Sequence, residues 1–333
     1  MTRIAPARQA RGLGLLLLCA GLSLPPAAQA GVFKDAALQQ LHEQGRDEEL
    51  LRLAQTRAGA EALAAQALAQ ALPNDAAALA RAVQAAERCV HQHADQASCH
   101  YAQGVVLGVE ALRGGWLRGL GLLSQVLGAF ERALALDAAF FEARSNLQQL
   151  YLLVPGLAGG GADRARALLQ DGLAAEQTAL LRARLLIKQK RWPDAERELA
   201  GIQLGEARAF HNDVLNAWST LARQWLKGND HARARHRFET LASQLPQLAL
   251  PSYWLGRVAA DAGQHEEALR HYGRAQGLSG AAALPLAHRI GLSLEELGRR
   301  EEAREQLLRF LQDRYAAPSA LADARKHLKD LGA

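Results

Sequence analysis

The stretch YWLGRVAADAGQHEEALRHYGRA, residues 253–275, decides the fold class of this chain. Its apolar residues recur at helical spacing in two segments, and Gly263 lies between them. Glycine adopts left-handed backbone conformations at little steric cost, so it indicates a tight turn at this point. The stretch therefore predicts a pair of antiparallel helices. The residues that mark the pair are Leu255 and Gly256 in the first helix and Ala268, Tyr272 and Ala275 in the second.

The same pattern recurs at a nearly constant interval along the chain. Gly298 follows Gly263 by 35 residues, and Ala234 precedes Ala268 by 34 residues. A period of this length is typical of stacked helical repeats. The further markers of these units are Ala303 and Leu307 in the following unit, Trp218, Phe238 and Pro246 in the preceding one, and Lys190, Ala195, Leu199 and Ile202 in an earlier one.

This arrangement resembles the tetratricopeptide repeat, whose pattern has large residues and a small one in helix A, followed by an alanine, an aromatic residue and an alanine in helix B. The resemblance extends over 215–318 and 176–202 and weakens toward the N-terminus. It implies an all-α, right-handed superhelical solenoid of about six to seven antiparallel helix pairs over 31–333. It also implies a concave face, lined by helix A of each repeat, where such solenoids usually bind peptides or proteins.

The rest of the chain fits this solenoid less regularly. We expect degenerate repeats over 31–96, insertion-bearing repeats over 97–175, clearer repeats over 176–318 and a solvating cap helix over 319–331. The first insertion, LRGGWLRGLGLL at 112–123, is apolar and rich in glycine. Two explanations stay open for it. It is either a mobile apolar protrusion that contacts a partner or a membrane, or an extension of helix A packed inside the solenoid.

A second insertion, VPGLAGGG at 154–161, lies between two predicted helices. No strand precedes it and no Lys-Ser/Thr pair follows it, so it is not a phosphate-binding P-loop. Taken with the 112–123 insertion, it resembles the tetratricopeptide component of tripartite periplasmic solute transporters over 97–170. That resemblance implies an accessory role beside a substrate-binding protein.

Residues 1–30 have the composition of an export signal. The segment 1–11 is basic, the segment 12–24 is apolar, and small residues follow at Ala28 and Ala30. These are the three parts of a secretory signal peptide, and the apolar run is too short for a comfortable transmembrane helix. We therefore expect cleavage after Ala30 and an exported chain, which is periplasmic if the source is a Gram-negative bacterium.

Much of the positive charge belongs to this leader. The full chain has 39 Lys and Arg against 34 Asp and Glu, a net charge of +5. The leader would remove Arg3, Arg8 and Arg11, which leaves 36 against 34 and a net charge of about +2. The basic balance is therefore no evidence for nucleic-acid binding, and we expect none.

The predicted mature chain keeps two cysteines, Cys89 and Cys99. Cys89 is expected near the end of one helix B and Cys99 near the start of the next helix A, so the turn around Asp95 would bring them together. An oxidising compartment favours a disulfide between them. A zinc site that adds His93 and His100 is the alternative, although the spacing is not a standard zinc pattern. Free thiols are the third reading.

Basic residues recur at one position of helix A in three repeats aligned by their helix B alanines. That position usually faces the groove, so we expect a basic ladder that binds an acidic segment or the C-terminal carboxylate of a partner. A merely solvated surface is the other explanation. The residues of this ladder, with one neighbouring aromatic, are Arg184, Lys188, Arg223, Lys227, Tyr253 and Arg257.

No catalytic motif is evident in the sequence. It contains no Gly-x-Ser-x-Gly, no His-Glu-x-x-His and no Cys-x-x-Cys, and we expect neither a cofactor nor a catalytic metal. We therefore expect a non-enzymatic scaffold or adaptor that binds a protein or peptide. A transporter accessory and an enzyme whose scattered residues converge in space are the alternatives.

Overall fold

The computed structural model describes residues 31–71, 75–169, 172–204, 208–313 and 316–332, without the side chains of Trp116, Arg208 and Ala209. The predicted leader at 1–30 lies outside the described residues. Within them the chain is helical and contains no β-strand.

The helices pair in sequence order into antiparallel hairpins, and one further helix follows at the end. The helices are α1 (Ala36–Glu43), α2 (Asp47–Gln55), α3 (Ala60–Ala71), α4 (Ala76–Gln92), α5 (Ala97–Arg113), α6 (Gly115–Leu136), α7 (Phe141–Leu153), α8 (Ala162–Ala167), α9 (Ala175–Lys188), α10 (Trp192–Ala200), α11 (Arg208–Lys227), α12 (His231–Gln244), α13 (Ala249–Asp261), α14 (His265–Gln276), α15 (Leu286–Glu296), α16 (Arg300–Phe310) and α17 (Pro318–Asp330). Short 3₁₀ turns cover Gly156–Ala158 and Ala281–Ala283.

The predicted all-α solenoid is confirmed. The described residues hold eight helix pairs, against the six to seven expected, because the two N-terminal segments that the sequence indicated only as degenerate pairs fold into the hairpins α1–α2 and α3–α4. Each pair buries its apolar side against the next pair, so the core runs along the solenoid rather than forming one central cluster.

The residues that marked the repeats lie at the contact between helix A and helix B. The helix B alanines are fully buried, and so are the large residues one turn later. The insertion-bearing repeat keeps this packing, since a Cβ at Gly104 of α5 would lie 2.8 Å from the ring of Phe130 of α6. The buried helix B residues are Ala195, Ala234, Phe238, Ala268, Tyr272, Ala275, Ala303 and Leu307.

The turns within the repeats use left-handed backbone conformations where the sequence predicted them. Gly263 and Gly298 have φ values of 74° and 73°. Lys190 takes the same conformation with φ 61°, and so does Asn229 with φ 56°. The lysine is a strained choice, because left-handed φ is costly for a residue with a Cβ.

Of the two explanations offered above, the 112–123 segment fits the apolar protrusion better, but as a helix. It is not a loop, since α5 ends at Arg113 and α6 begins at Gly115, and at its end Leu122 and Leu123 pack against the core. Leu117 and Leu120 are 77% and 49% exposed. Tyr151 near the end of α7 bonds Glu131 of α6 over 2.6 Å, so the first turns of α6 extend past the end of α7.

One stretch of the described chain, Leu117–Leu136, is long and apolar enough to cross a bilayer by length and composition, with a mean hydropathy of 1.2. Its second half is part of the solenoid core, because Val126, Phe130 and Ala133 are buried there. Such a helix is weak evidence for a membrane span, since core helices of soluble proteins have the same composition.

Candidate peptide-binding face

The two cysteines are joined by a disulfide, as predicted. Cys89 near the end of α4 and Cys99 in the first turn of α5 have Cα atoms 5.2 Å apart, and both residues are fully buried. The bond fixes one hairpin to the next. It also uses both sulfur atoms, so neither cysteine is left as a zinc ligand or as a free thiol.

Arg184, the first member of the predicted basic ladder, is not a groove cation. It is 7% exposed, and its guanidinium lies 3.1 Å from Asp213 of α11 and 2.7 Å from the hydroxyl of Ser145 of α7. Burial lowers the pKa of Arg184, and the carboxylate of Asp213 opposes that shift. The expectation for Arg184 is corrected accordingly: it is a buried ion-pair partner that joins three successive A helices.

Arg223 of α11 and Arg257 of α13 lie on successive A helices, near enough for the positive charge of Arg257 to act on Arg223. Burial and then the positive charge of Arg257 lower the pKa of Arg223. The guanidinium of Arg257 lies 5.2 Å above the ring of Trp254 and donates to the Tyr253 hydroxyl over 3.3 Å. Among the described residues, no carboxylate pairs with either arginine; the partner of Arg223 is the hydroxyl of Thr220.

Lys188 and Lys227 lie at the C-terminal ends of α9 and α11, and both are exposed. Cations at that end of a helix are favoured by the helix dipole, by a few tenths of a kcal/mol. This favourable location explains both lysines without a ligand. Of the ladder, the structure therefore brings together Arg223, Tyr253 and Arg257.

Sequence alignment missed one arginine of this face. Arg289 of α15 is half-buried, and its charge acts on the hydroxyl of Tyr272 together with that of Arg257. It stands three residues before the position that aligns with Arg257, which is occupied by Leu292. A comparison of helix faces, rather than of single aligned positions, could have found Arg289, because residues about one turn apart share a face.

The A helices of the N-terminal half carry acids instead. Glu142 of α7 is largely buried, and its Oε2 atom has no hydrogen-bond partner. Burial first, and then the negative charges of Asp213 and Glu43, raise the pKa of Glu142 to about 7. Burial raises the pKa of the Tyr101 hydroxyl, and the negative charges of Glu142 and Asp213 raise it further.

The part of the chain that the structure describes contains no group of three His, Cys, Asp or Glu side chains arranged to hold a metal ion. Two histidines near the C-terminal end pair instead with carboxylates of a neighbouring helix. His288 bonds Asp323 over 2.9 Å, and His327 bonds Glu295 over 2.8 Å, so these rings connect α15 to α17.

No family model matches the sequence, and no curated protein matches it. Solved structures match it by fold. A monomeric mutant of IFIT1 with Gppp-AAAA aligns over 89% of this chain and 71% of its own, with a TM-score of 0.53 and 13% identity. A tetratricopeptide repeat protein from Parabacteroides merdae aligns over 86% and 99%, with a TM-score of 0.49 and 14% identity.

YrrB, described as a TPR protein with an unusual peptide-binding site, aligns over 72% of this chain and 97% of its own, with a TM-score of 0.31 and 12% identity. At these identities the likeness concerns the fold alone. The function of this chain therefore has to be argued from its own residues.

Proposed function

We propose that this chain is a non-enzymatic scaffold whose concave face binds a protein or peptide partner with an acidic segment or a free C-terminal carboxylate. One observation carries the proposal. Arg223 and Arg257 lie close together on successive A helices, next to Tyr253, with no carboxylate to neutralise them in the described chain.

The electrostatics favour an anionic ligand. Burial and then the positive charge of Arg257 lower the pKa of Arg223, so a negative charge that enters between the two guanidinium groups relieves their repulsion. Arginine forks bind carboxylates through two parallel hydrogen bonds. Tyr253 is only 6% exposed and packs in the core, so it contributes a hydroxyl beside Arg257 rather than the apolar anchor expected from the sequence.

The compartment is part of the proposal. The composition of 1–30 supports export, and the Cys89–Cys99 bond supports an oxidising compartment, since disulfides seldom persist in the reducing cytosol. The partner would then be an exported protein, and nucleic acid would not be the ligand.

A second candidate is an accessory role in a periplasmic solute transport system. Its support is the exposed apolar start of α6, which gives a surface for docking on a neighbouring protein or a membrane. Leu112 in the last turn of α5, with Leu117 and Leu120 of α6, forms this α6 tip. The two candidates use different surfaces, so variants can separate them.

The test uses synthetic peptides and fluorescence anisotropy. Peptides that end in acidic residues with a free carboxylate should bind the protein, and neutral amidated versions should bind much more weakly. Arg223→Gln with Arg257→Gln should lower the affinity at least about tenfold, and rising salt should weaken the wild-type complex. Arg270→Gln with Arg274→Gln, two exposed arginines of α14, is the matched control.

Arg184→Gln is left out of this variant set because it would break the buried pair with Asp213. Unchanged binding by the Arg223 and Arg257 variant, with the control also unchanged, would reduce this face to a solvated surface. If Leu117→Ser with Leu120→Ser instead abolishes a complex with an exported partner, the accessory role is favoured.

A further inference from the structure

Two polar groups next to the candidate face are buried without a hydrogen-bond partner. The Tyr272 side chain is 0% exposed, and its hydroxyl has no partner in the described chain. The Nε atom of Arg289 is also buried and unpartnered. Groups of this kind are uncommon in folded proteins because each one costs desolvation energy, so they call for an explanation.

The two groups belong to one neighbourhood. The rings of Tyr272 and Tyr253 have centroids 6.0 Å apart, and the charges of Arg257 and Arg289 both act on the Tyr272 hydroxyl. Arg257 in turn acts on Arg223. Residues from α11, α13, α14 and α15 therefore converge at the junction of the last three repeats.

Every one of these groups has a hydrogen to donate. Arg257 donates to the oxygen of Tyr253, which leaves the Tyr253 hydroxyl hydrogen for another acceptor. The guanidinium groups accept nothing, and the hydroxyl of Tyr272 has its hydrogen free. The complement of such a set is a ligand that only accepts hydrogen bonds and carries negative charge.

We propose that Arg257, Arg289, Tyr253 and Tyr272 form an anion site that takes one oxyanion, a carboxylate or a phosphate. This deepens the proposed function, because it names the atoms that would receive the ligand's anionic group. It also extends the candidate face by one repeat, onto α15, and makes a helix B residue part of the ligand contact.

The packing explains how a helix B residue can reach this face. Tyr272 lies against Gly256 of α13, where the missing side chain lets the ring pass close to helix A. Its hydroxyl then lies within the influence of the positive charges of Arg257 on α13 and Arg289 on α15, without bonding either. A phenylalanine would fill the same space in the core, so packing gives no reason for the hydroxyl.

The first measurement uses inorganic phosphate as the probe, with the intact protein. Phosphate should raise the melting temperature more than chloride does at matched ionic strength, and the rise should increase with phosphate concentration. Tyr272→Phe should leave the anion-free protein as stable as wild type or more so, since it removes an unpaired buried hydroxyl, and should weaken phosphate binding about tenfold. Arg289→Gln should weaken it by a similar or larger factor.

The control is Arg270→Gln on the exposed side of α14, which should bind phosphate as wild type does. Two peptides then identify the source of the oxyanion. One has a free C-terminal carboxylate and no acidic side chain, and the other is amidated and carries acidic side chains. The peptide whose affinity falls about tenfold in both variants is the one that supplies the anion.

The outcomes separate the two proposals. If wild type binds phosphate and neither peptide, and the variants lose phosphate, the anion site holds and the peptide-binding function is wrong. If wild type and both variants bind the peptides equally, the scaffold function holds and the anion site is wrong. Failure of phosphate and of both peptides to bind wild type overturns both.

Discussion

Gly256 of α13 lies directly against the ring of Tyr272 of α14, such that a Cβ at Gly256 would be 2.4 Å from the Cε1 atom of the ring. No real Cβ is tolerated at that distance, and the ring is fully buried and cannot turn away freely. This contact sets the distance between the two helices of the repeat. It is also the reason why a glycine is retained in the middle of a helix, where glycine is otherwise unfavourable.

We predict that Gly256→Ala destabilises the protein by about 1–3 kcal/mol, the usual cost of overpacking a core. The matched control is Gly273→Ala in α14, where a Cβ would meet no atom within 4 Å. That change should stabilise by up to about 1 kcal/mol through helix propensity. Denaturant unfolding would measure both, and equal effects of the two substitutions would show that the ring contact does not decide the spacing.

Lys190 gives a stabilising prediction. Because this residue has φ 61° in its turn, Lys190→Gly should stabilise the fold by about 1 kcal/mol. Gly263→Ala, at the equivalent turn of a later repeat, should destabilise by a similar amount. The midpoints of chemical denaturation should therefore move in opposite directions, and a loss of stability in Lys190→Gly would contradict the assignment of strain.

The fold could be predicted from the sequence because its signal is local and repeated. The contact of Gly256 with Tyr272 has its counterpart 35 residues on in Gly291 and Leu307, and the turn at Gly263 has its counterpart at Gly298, so each repeat supports the others. The start of α6 could not be predicted, because its glycines favour a loop whereas packing against α5 makes it a helix.

The candidate site was less predictable, because its contacts cross from one repeat to another. A repeat alignment places Arg184 and Arg223 in the same position, but it does not show that Asp213 of the next A helix reaches Arg184. It also omits Arg289, which lies on the shared face in a different register. Alignment gives the face of a helix, whereas the neighbouring repeat decides whether a charge on that face is paired.

The disulfide should contribute to stability. Closing the short segment between Cys89 and Cys99 should stabilise the fold by roughly 2–3 kcal/mol in the chain-entropy model. We expect an unreduced tryptic digest of the exported protein to contain the two cysteines linked, and reductant to lower the unfolding midpoint. The Cys89→Ala, Cys99→Ala variant should not respond to reductant; stoichiometric zinc with alkylatable thiols in the wild type would refute the bond.

Glu142 makes stability depend on pH. Its folded pKa of about 7 lies above the ordinary 4.5, so the folded state holds a proton that the unfolded state releases between those values. Stability is therefore lost as pH rises through this window, by at most roughly 3.5 kcal/mol at about 1.4 kcal/mol per pKa unit.

Glu142→Gln removes this ionisation. It should raise the free energy of unfolding at pH 8 and change it little at pH 5, because the amide resembles the protonated acid. Glu305→Gln, at an exposed position of α16, is the control and should leave the pH profile of unfolding unchanged. An equal gain at both pH values would mean that Glu142 is not protonated in the folded state at pH 5.

The terminal helix α17 should act as the cap expected for 319–331. Its Ala324 and Leu328 pack against Leu307 and Phe310 of α16, all buried, in a small cluster of their own. Removing 318–333 would expose that apolar surface and also break the bonds that His288 and His327 make between α15 and α17. End repeats without a polar cover tend to associate, so the truncated protein should melt at a lower temperature and form larger species in size-exclusion chromatography.

The point variant Leu328→Ala should destabilise by about 2–5 kcal/mol, whereas Lys326→Ala on the exposed side of α17 should be nearly neutral. A truncated protein that melts and elutes like the full chain would show that α16 already closes the solenoid.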